Sequence, residues 1–457
     1  MENKERKSRE KDAGQMMTNG PIARQILLFS IPLLLGNLFQ QLYNTADSMI
    51  VGNYVGKDAL AAVGSSASLI NLMVGAFMGI SIGAGVVISQ HYGARDEENL
   101  SRAVHTTIAF GIFAGIFLTV FGILATPVIL RWMDTPETVI ESSVLYFRIF
   151  FAGSIGASLY NMGCGVLRAV GDSKRPLYFL MIASVLNVLL DLLFVAGFQW
   201  GVAGAAFATI LSQLLSAVLT LGALMRTRQA YRLYWKKIRF HWDQLRQIVN
   251  IGFPSAVQNA IVSFSNVVVQ SNINGFGDVA MAGCGAYMKV DGFAILPVMS
   301  FAMAITTFVG QNMGAREYER VKKGAGFGIL ASMITVQILA CFVMLFAPQV
   351  IRIFNEDTDV IAYGAMMAKC LGPFYFLAAI SQGVAGALRG AGISHIPMFV
   401  IILSWCVLRV LWLSVTIPLT RDIQMVFWAY PVTWAVSSLV LLFYYKKVDW
   451  IHYMDRK

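Results

Sequence analysis

The sequence predicts an all-α membrane protein of twelve transmembrane helices, arranged as two pseudo-symmetric six-helix bundles with both termini cytoplasmic. Three observations carry that expectation. Of 457 residues, 57% are hydrophobic and 13% charged, against about 25% charged in a soluble domain, so a water-facing surface cannot be assembled from this chain. Twelve apolar runs reach the length of about 20 residues needed to cross a hydrocarbon core about 30 Å thick. The phrase "LRAVGDSKRP" from Leu167 returns as "LRGAGISHIP" from Leu388, 221 residues later.

Residues 1–24 are polar and basic. They lack the short apolar core and small-residue cleavage site of a secretory signal and read as a solvated cytoplasmic tail. The first span, 25–51, contains Pro32, and a proline inside a helix removes a hydrogen bond and bends it. Spans two to six fall at 60–90, 103–130, 138–166, 176–198 and 201–225, completing an N-terminal lobe at 25–225. Barrel strands would be about 10 residues long with strict alternation, and runs such as "ILLFSIPLLLGNLF" have neither property. The basic linker 226–246 mixes aromatics with cations, which suits a headgroup-level segment and equally a solvated connector. A C-terminal lobe, 247–446, holds spans at 247–273 with Pro254, 280–312 with Pro297, 324–350, 360–388, 396–418 and 425–445. Residues 447–457 form a second cytoplasmic tail.

The 221-residue offset also maps Pro127 onto Pro348, Gly165 onto Gly386, and "QHYGAR" (Gln90 to Arg95) onto "QNMGAR" (Gln311 to Arg316). The chain is a tandem duplication. Six spans per unit is an even number, so both units enter the membrane from the same side and form parallel repeats. Inner segments collect 27 of the 35 basic residues, and Lys and Arg accumulate in cytoplasmic loops. This places the protein in the plasma or inner membrane as a multi-pass chain. A net charge of +10 spread over such loops is not the single basic face that nucleic acid requires. The five cysteines stand singly in or at the ends of apolar runs, where Cys behaves as a small hydrophobe. No disulfide or metal framework is expected.

Three of the 25 acidic residues lie well inside spans: Asp47, Asp191 and Asp291. A charge at the bilayer centre costs at least about 2.5–3.5 kcal/mol on insertion scales, so each needs a reason. Counting back from the outer ends near Gly52 and Gly197 at 1.5 Å per residue, Asp47 and Asp191 share a depth of roughly 7–9 Å. Each has a polar neighbour one turn earlier on its own face, Tyr43 and Asn187, at the four-residue spacing that stacks side chains. Thr209 on the next span adds a hydroxyl. The equivalent second-lobe positions are Leu408 and Trp412, with Val268 or Val269 opposite Asp47, so only one lobe has the cluster. Two such carboxylates repel unless a proton or a cation lies between them, which makes the pair a switch for H⁺. The same atoms of Asp47, Asn187, Asp191 and Thr209 also suit Na⁺, and the third reading is a polar lock between two helices. The lock is disfavoured because an apolar pair would join helices without the intramembrane penalty.

Lys289 and Asp291 sit two apart on span eight and face different ways, with Arg409 on span eleven as a potential partner; together they are candidates to line a second-lobe cavity. Arg148 and its repeat equivalent Lys369 would snorkel or brace their lobes, bracing being favoured, while Arg168 and Arg389 at inner helix ends would meet carbonyls or lipid phosphates. "GNYVGKD" (Gly52 to Asp58) has the wrong glycine spacing and lacks the Ser or Thr of a phosphate loop. With no HExxH, no GxSxG and no histidine mid-membrane beside Ser or Asp, an intramembrane enzyme is a remote alternative.

With those residues in place, the chain resembles a multidrug and toxic compound extrusion (MATE) transporter of the MOP type. "IPLLLGNLFQQLYNTADSMIVG", "GQNMGAR", "LRAVGDSKRP" and "NVLLDLLFVAGFQWGVAGAAFAT" carry the likeness, which runs from about Ser30 to the end. It is most similar to the DinF-like branch. That resemblance implies a cation-coupling site at Tyr43, Asp47, Asn187, Asp191 and Thr209 and a helix-bending role for Pro32. The NorM-like branch keeps acidic cation ligands on spans seven and ten, where this chain has Gln258, Asn259, Asn266 and Gln270, and Lys369; a site of that type is not expected. The resemblance further implies a monomer without cofactors that exports amphipathic, often cationic small molecules in exchange for H⁺ or Na⁺, in contact with membrane lipids. Related flippases for lipid-linked sugars have cationic cavities, and Lys289, Arg409 and Arg148 keep that alternative open.

Overall fold

A computed structural model describes residues 16–55, 57–132 and 137–456. The expected tail 1–24 lies outside the described residues up to position 15. In the first repeat the helices are α1 (Ile22–Tyr54), α2 (Lys57–Gly93), α3 (Glu97–Trp132), α4 (Glu137–Ala152), α5 (Ser154–Ala169), α6 (Lys174–Asp191) and α7 (Gly201–Arg226). In the second they are α8 (Trp242–Asn274), α9 (Asp278–Ala294), α10 (Leu296–Gly314), α11 (Tyr318–Leu345), α12 (Ala347–Arg352), α13 (Thr358–Leu371), α14 (Tyr375–Gly390), α15 (His395–Ile402), α16 (Arg409–Thr420) and α17 (Gln424–Lys447). Among the described residues, ten helical stretches are long and apolar enough to cross a bilayer, and α4 with α5 makes an eleventh that is bent by 47°. The 33-residue α8, less apolar because of Gln258, Asn259, Asn266 and Gln270, completes the expected twelve.

The extra helix breaks have local causes. Pro297 stands in the first turn of α10 and Pro348 in that of α12, where the missing N–H is harmless. Gly153 separates α4 from α5, and the turn Gly372–Phe374, with Pro373 inside it, separates α13 from α14. Spans five and eleven stay continuous but widen into π turns at Leu192–Gly197 and Leu403–Leu408.

Packing divides the described residues into two units, one containing Leu35–Phe253 and the other Met17–Leu34 with the residues from Pro254 onward. The division therefore runs through α1 just after Pro32 and through α8 at Pro254, rather than through the linker, as lobes at 25–225 and 247–446 would have it. In the first unit α5 packs on α2, α3 and α7, and in the second α14 packs on α10, α11 and α17. These two helices are repeat equivalents of 16 residues each. Each depends on a glycine for close approach. A Cβ on Gly165 would meet Ser81 Oγ at 2.4 Å, and one on Gly386 would meet the Ala302 carbonyl oxygen at 2.6 Å; small residues are what let membrane helices touch. Backbone detail repeats as well: Arg95 (φ 57°) matches Arg316 (φ 59°), and Gly171 matches Gly392 (both φ 87°).

The second unit shows that residues 17–24 are not a solvated tail. Met17 is buried, its N–H donates to Gln311 Oε1 (2.8 Å), and its carbonyl accepts from Asn312 Nδ2 (3.1 Å) and Arg320 (3.2 Å). Arg320 also donates to the Gly20 carbonyl at 3.0 Å. Buried backbone groups need such partners, and the start of the "QNMGAR" segment together with Arg320 supplies them. At the other end, Trp450 and Ile451 are buried, so the C-terminal tail is docked too.

Candidate functional site

In the first unit α1 carries Tyr43 and Asp47, α6 carries Asn187 and Asp191, and α7 carries Thr209. All five residues expected from the sequence converge. Asp47 and Asp191 lie within side-chain hydrogen-bond reach of each other, and the Tyr43 hydroxyl lies within such reach of that of Thr209. With its carboxamide turned to give both ends a partner, Asn187 donates to Asp191 Oδ2 (3.0 Å) and accepts the Thr209 N–H (3.3 Å). Thr209 Oγ1 donates in turn to the Ala205 carbonyl at 3.0 Å, one turn back on its own helix. Asn187 and Asp191 are fully buried.

Two oxygens of this cluster, Asp47 Oδ1 and Asp191 Oδ1, are buried without a hydrogen-bond partner among the described residues. An orphaned carboxylate oxygen away from water is costly. The donor set is oxygen throughout, of the kind that takes protons and hard cations rather than soft metals. Among the described residues no group of three or more His, Cys, Asp or Glu side chains is assembled.

Local structure explains the placement. Asp191 is the last residue before the π turn Leu192–Gly197, a distortion that recurs at functional positions because it re-aims side chains. An apolar cluster of Tyr146, Val195, Val202, Ala205 and Ala206, with Ile50 and Val55 beside it, shields part of the site from water. Tyr146 on α4 is the residue that sequence reasoning missed: it is buried and lies within electrostatic range of Asp47, Tyr43 and Asp191. Nothing in the run "SSVLYFRIFF" distinguishes it from an ordinary aromatic in an apolar helix. Pro32 is on α1 but falls in the segment Met17–Leu34, which packs with the second unit.

The second-unit candidates do not gather into one constellation. Asp291 accepts a hydrogen bond from the Tyr375 hydroxyl, which is 3.0 Å from that of Tyr287. Lys289 rests its ammonium 5.5 Å from the Phe354 ring centre. Arg409 is 1% exposed and forms no ion pair among the described residues; it donates to Asn266 Oδ1 and Thr433 Oγ1 (both 3.2 Å) and lies 4.4 Å over Tyr430. The suggested pairing of Arg409 with Lys289 or Asp291 is thus replaced by neutral acceptors and a ring face. Arg148 and Lys369 are exposed, so they do not brace the interior. Arg389, expected at a headgroup, is buried instead.

Comparison with known proteins follows the same duplication. The MatE family model matches twice, over residues 32–193 and 254–413. Probable multidrug resistance protein YoeA of Bacillus subtilis (strain 168) is 32% identical, covering 95% of this chain and 96% of its own length. YpnP of the same organism, also named a probable multidrug resistance protein, is 29% identical over 86% of this chain and 88% of its own. A solved MOP superfamily transporter from Pyrococcus furiosus superposes with a TM-score of 0.88 at 24% identity, covering 94% of this chain and 96% of that one. At that identity the likeness bears on the fold.

Proposed function

Because the chain belongs to the MatE family of multi-pass membrane transporters, which are not enzymes, we propose that it is a cation-coupled antiporter exporting amphipathic, cationic small molecules by alternating access. The relatives named for multidrug resistance support the cargo class. The single observation that carries the coupling is the approach of Asp47 to Asp191. An ionised carboxylate only accepts hydrogen bonds, so two carboxyl groups this close need a proton or a cation between them, and one shared proton joins them with no further ligands. This favours H⁺ over Na⁺ as the coupling ion.

In the proposed cycle the loaded pair is neutralised enough to stay buried, with Asn187 fixing the Asp191 carboxyl and Tyr43 and Thr209 closing the oxygen cluster. Losing the proton restores repulsion between the acids and pushes α1 away from α6, and a bend near Pro32 lets the outer part of α1 move. A ligand shifts a conformational equilibrium only through such a difference between states. The placement of the candidate cations speaks against a flippase: Lys289 rests on Phe354 and Arg409 is engaged by Asn266 and Thr433, so they do not form a cavity for pyrophosphate.

The test is efflux of a fluorescent cationic dye from proteoliposomes, first under an imposed pH gradient and then under an imposed Na⁺ gradient. Dye movement driven by the pH gradient alone is expected. Movement that follows only the Na⁺ gradient refutes proton coupling, and movement under neither refutes antiport.

A further inference from the structure

A cleft of about 500 Å³ opens at the cytoplasmic end of the first unit, away from the acid pair. It lies between the start of α3 and the linker. Its charged lining consists of Arg102, Lys236, Lys237 and Arg239 with Glu97 and Glu98. Glu98 is engaged by Arg102 at 2.5 Å. The three linker cations have no carboxylate within ion-pair distance among the described residues, and all three are exposed. The backbone that carries them is fastened down: the Tyr234 N–H donates to His105 Nε2 (3.0 Å) and the His241 N–H to Thr106 Oγ1 (3.1 Å). Lys237 sits 5.1 Å over the Tyr234 ring.

An aromatic track leads away from this cleft. Along α3, Phe121, Phe117 and Phe113 stand in succession with ring centres 5.7 and 6.5 Å apart; Phe113 meets Phe240 of the linker at 6.3 Å, and Phe240 meets Trp242 at 6.3 Å. Every ring is exposed, from 37% at Phe240 to 77% at Trp242. The helical part of the track, eight rises from Phe113 to Phe121, covers about 12 Å at 1.5 Å per residue. On a membrane helix such a face meets acyl chains, and tryptophan marks the level where chains give way to headgroups.

We infer that this cleft binds an anionic phospholipid of the inner leaflet, its phosphate on Lys236, Lys237 and Arg239 and an acyl chain along Phe240, Phe113, Phe117 and Phe121. Basic pockets beside membrane helices on the cytoplasmic side recognise such headgroups. The chain-length track is what distinguishes a lipid from a free phosphate. Neither feature is required by the repeated scaffold: the positions 221 residues before the three cations are Gln15, Met16 and Thr18, and Asn19 and Pro21 stand opposite Phe240 and Trp242. The inference is independent of the cargo and of the coupling ion.

The test uses the full-length protein in nanodiscs of dioleoyl phosphatidylcholine doped with dioleoyl phosphatidylglycerol, with bound lipid counted by native mass spectrometry. Wild type is expected to retain the glycerol lipid preferentially. The charge variant K236Q/K237Q/R239Q should reduce that preference about tenfold, K236R/K237R/R239K should keep it, and F113A/F117A should shorten retention of both lipids. Glycerol 1-phosphate, a head without chains, should compete poorly. Equal retention of the two lipids, an unchanged preference in the Gln variant, or full competition by glycerol 1-phosphate overturns the proposal. If the Gln variant does not fold, wild type alone decides: raising salt from about 0.1 to 1 M cuts the screening length from about 10 to 3 Å and should erase the preference, and a preference that survives refutes it.

Discussion

The two units share a scaffold and part company where charge is buried. In the first, Asp191 sits immediately before a π turn and faces a second acid; in the second, Arg409 sits immediately after one and faces neutral acceptors and a tyrosine ring. The first arrangement leaves carboxylate oxygens without partners, while Asp291 in the second accepts from the Tyr375 hydroxyl. Duplication preserved what packing demands: the glycine contacts of α5 and α14 and the left-handed residues Arg95 and Arg316. What changed is the chemistry those frames hold. One frame holds two facing acids; the other holds a cation whose two terminal nitrogens donate to neutral acceptors while Arg409 Nε has no partner among the described residues.

The sharpest way to break this contrast is substitution of the acids. Asp47→Asn and Asp191→Asn are each expected to reduce proton-driven dye efflux to the level of empty liposomes while the protein still elutes as a monodisperse peak. Asp291→Asn should leave coupling intact. Loss of coupling in the Asp291 variant, or its survival in both others, would dissolve the distinction between the units.

Packing is the next largest effect. Gly386→Ala places a Cβ against the Ala302 carbonyl, which is helix backbone and cannot rotate away; overpacking of this kind costs about 1–3 kcal/mol. Gly165→Ala meets the Ser81 hydroxyl, which can turn aside at the loss of its bond to the Asn161 carbonyl (2.8 Å), about 1 kcal/mol. Thermal unfolding followed by tryptophan fluorescence should rank the variants in that order.

A helix cap offers a smaller comparison. Asp96 accepts the Asn99 N–H (3.1 Å) at the start of α3, whereas Glu317, its repeat equivalent, makes no side-chain cap bond. Asp96→Ala should cost about 1 kcal/mol and Glu317→Ala nearly nothing. The hydrogen bonds from Asn99 hold the Asp96 carboxyl below its ordinary range, so its folded value lies under the unfolded one. The stabilisation is therefore complete above about pH 4, the usual carboxylate value, and fades as pH falls through the lower folded value. A wild-type advantage over the Asp96 variant that is flat from neutrality to about pH 5 and shrinks in stronger acid would agree.

The smallest effect belongs to Arg409→Met. Removing one member of a buried ion pair is strongly destabilising because it strands the other charge. Arg409 has no ionic partner among the described residues, so its loss strands none. The melting temperature should be unchanged or higher, and a large drop would reveal an anion that Arg409 serves.

The spans were readable because length and apolarity suffice to define them, and the acid pair because intramembrane charge is expensive. The span of α8 was read among the apolar runs although Gln258, Asn259, Asn266 and Gln270 make it less apolar. The break at Gly153, the π turns and the burial of Arg389 were not readable, since each is decided by neighbours on other helices. Tyr146 was hidden for the same reason: its importance lies in which acids it faces. The docked residues 17–20 looked like solvent-facing chain because Gln311, Asn312 and Arg320, about 300 positions away, supply their hydrogen bonds.

The division within α1 and α8 has a practical corollary for anyone cutting the molecule. A protease acting between 226 and 241, or a split gene joined there, would yield fragments that are unequal to the folded bodies: one keeps the stub Met17–Leu34 that packs with the other, and loses the stretch up to Phe253 that it needs. Co-expressed halves would have to exchange these ends before either is whole.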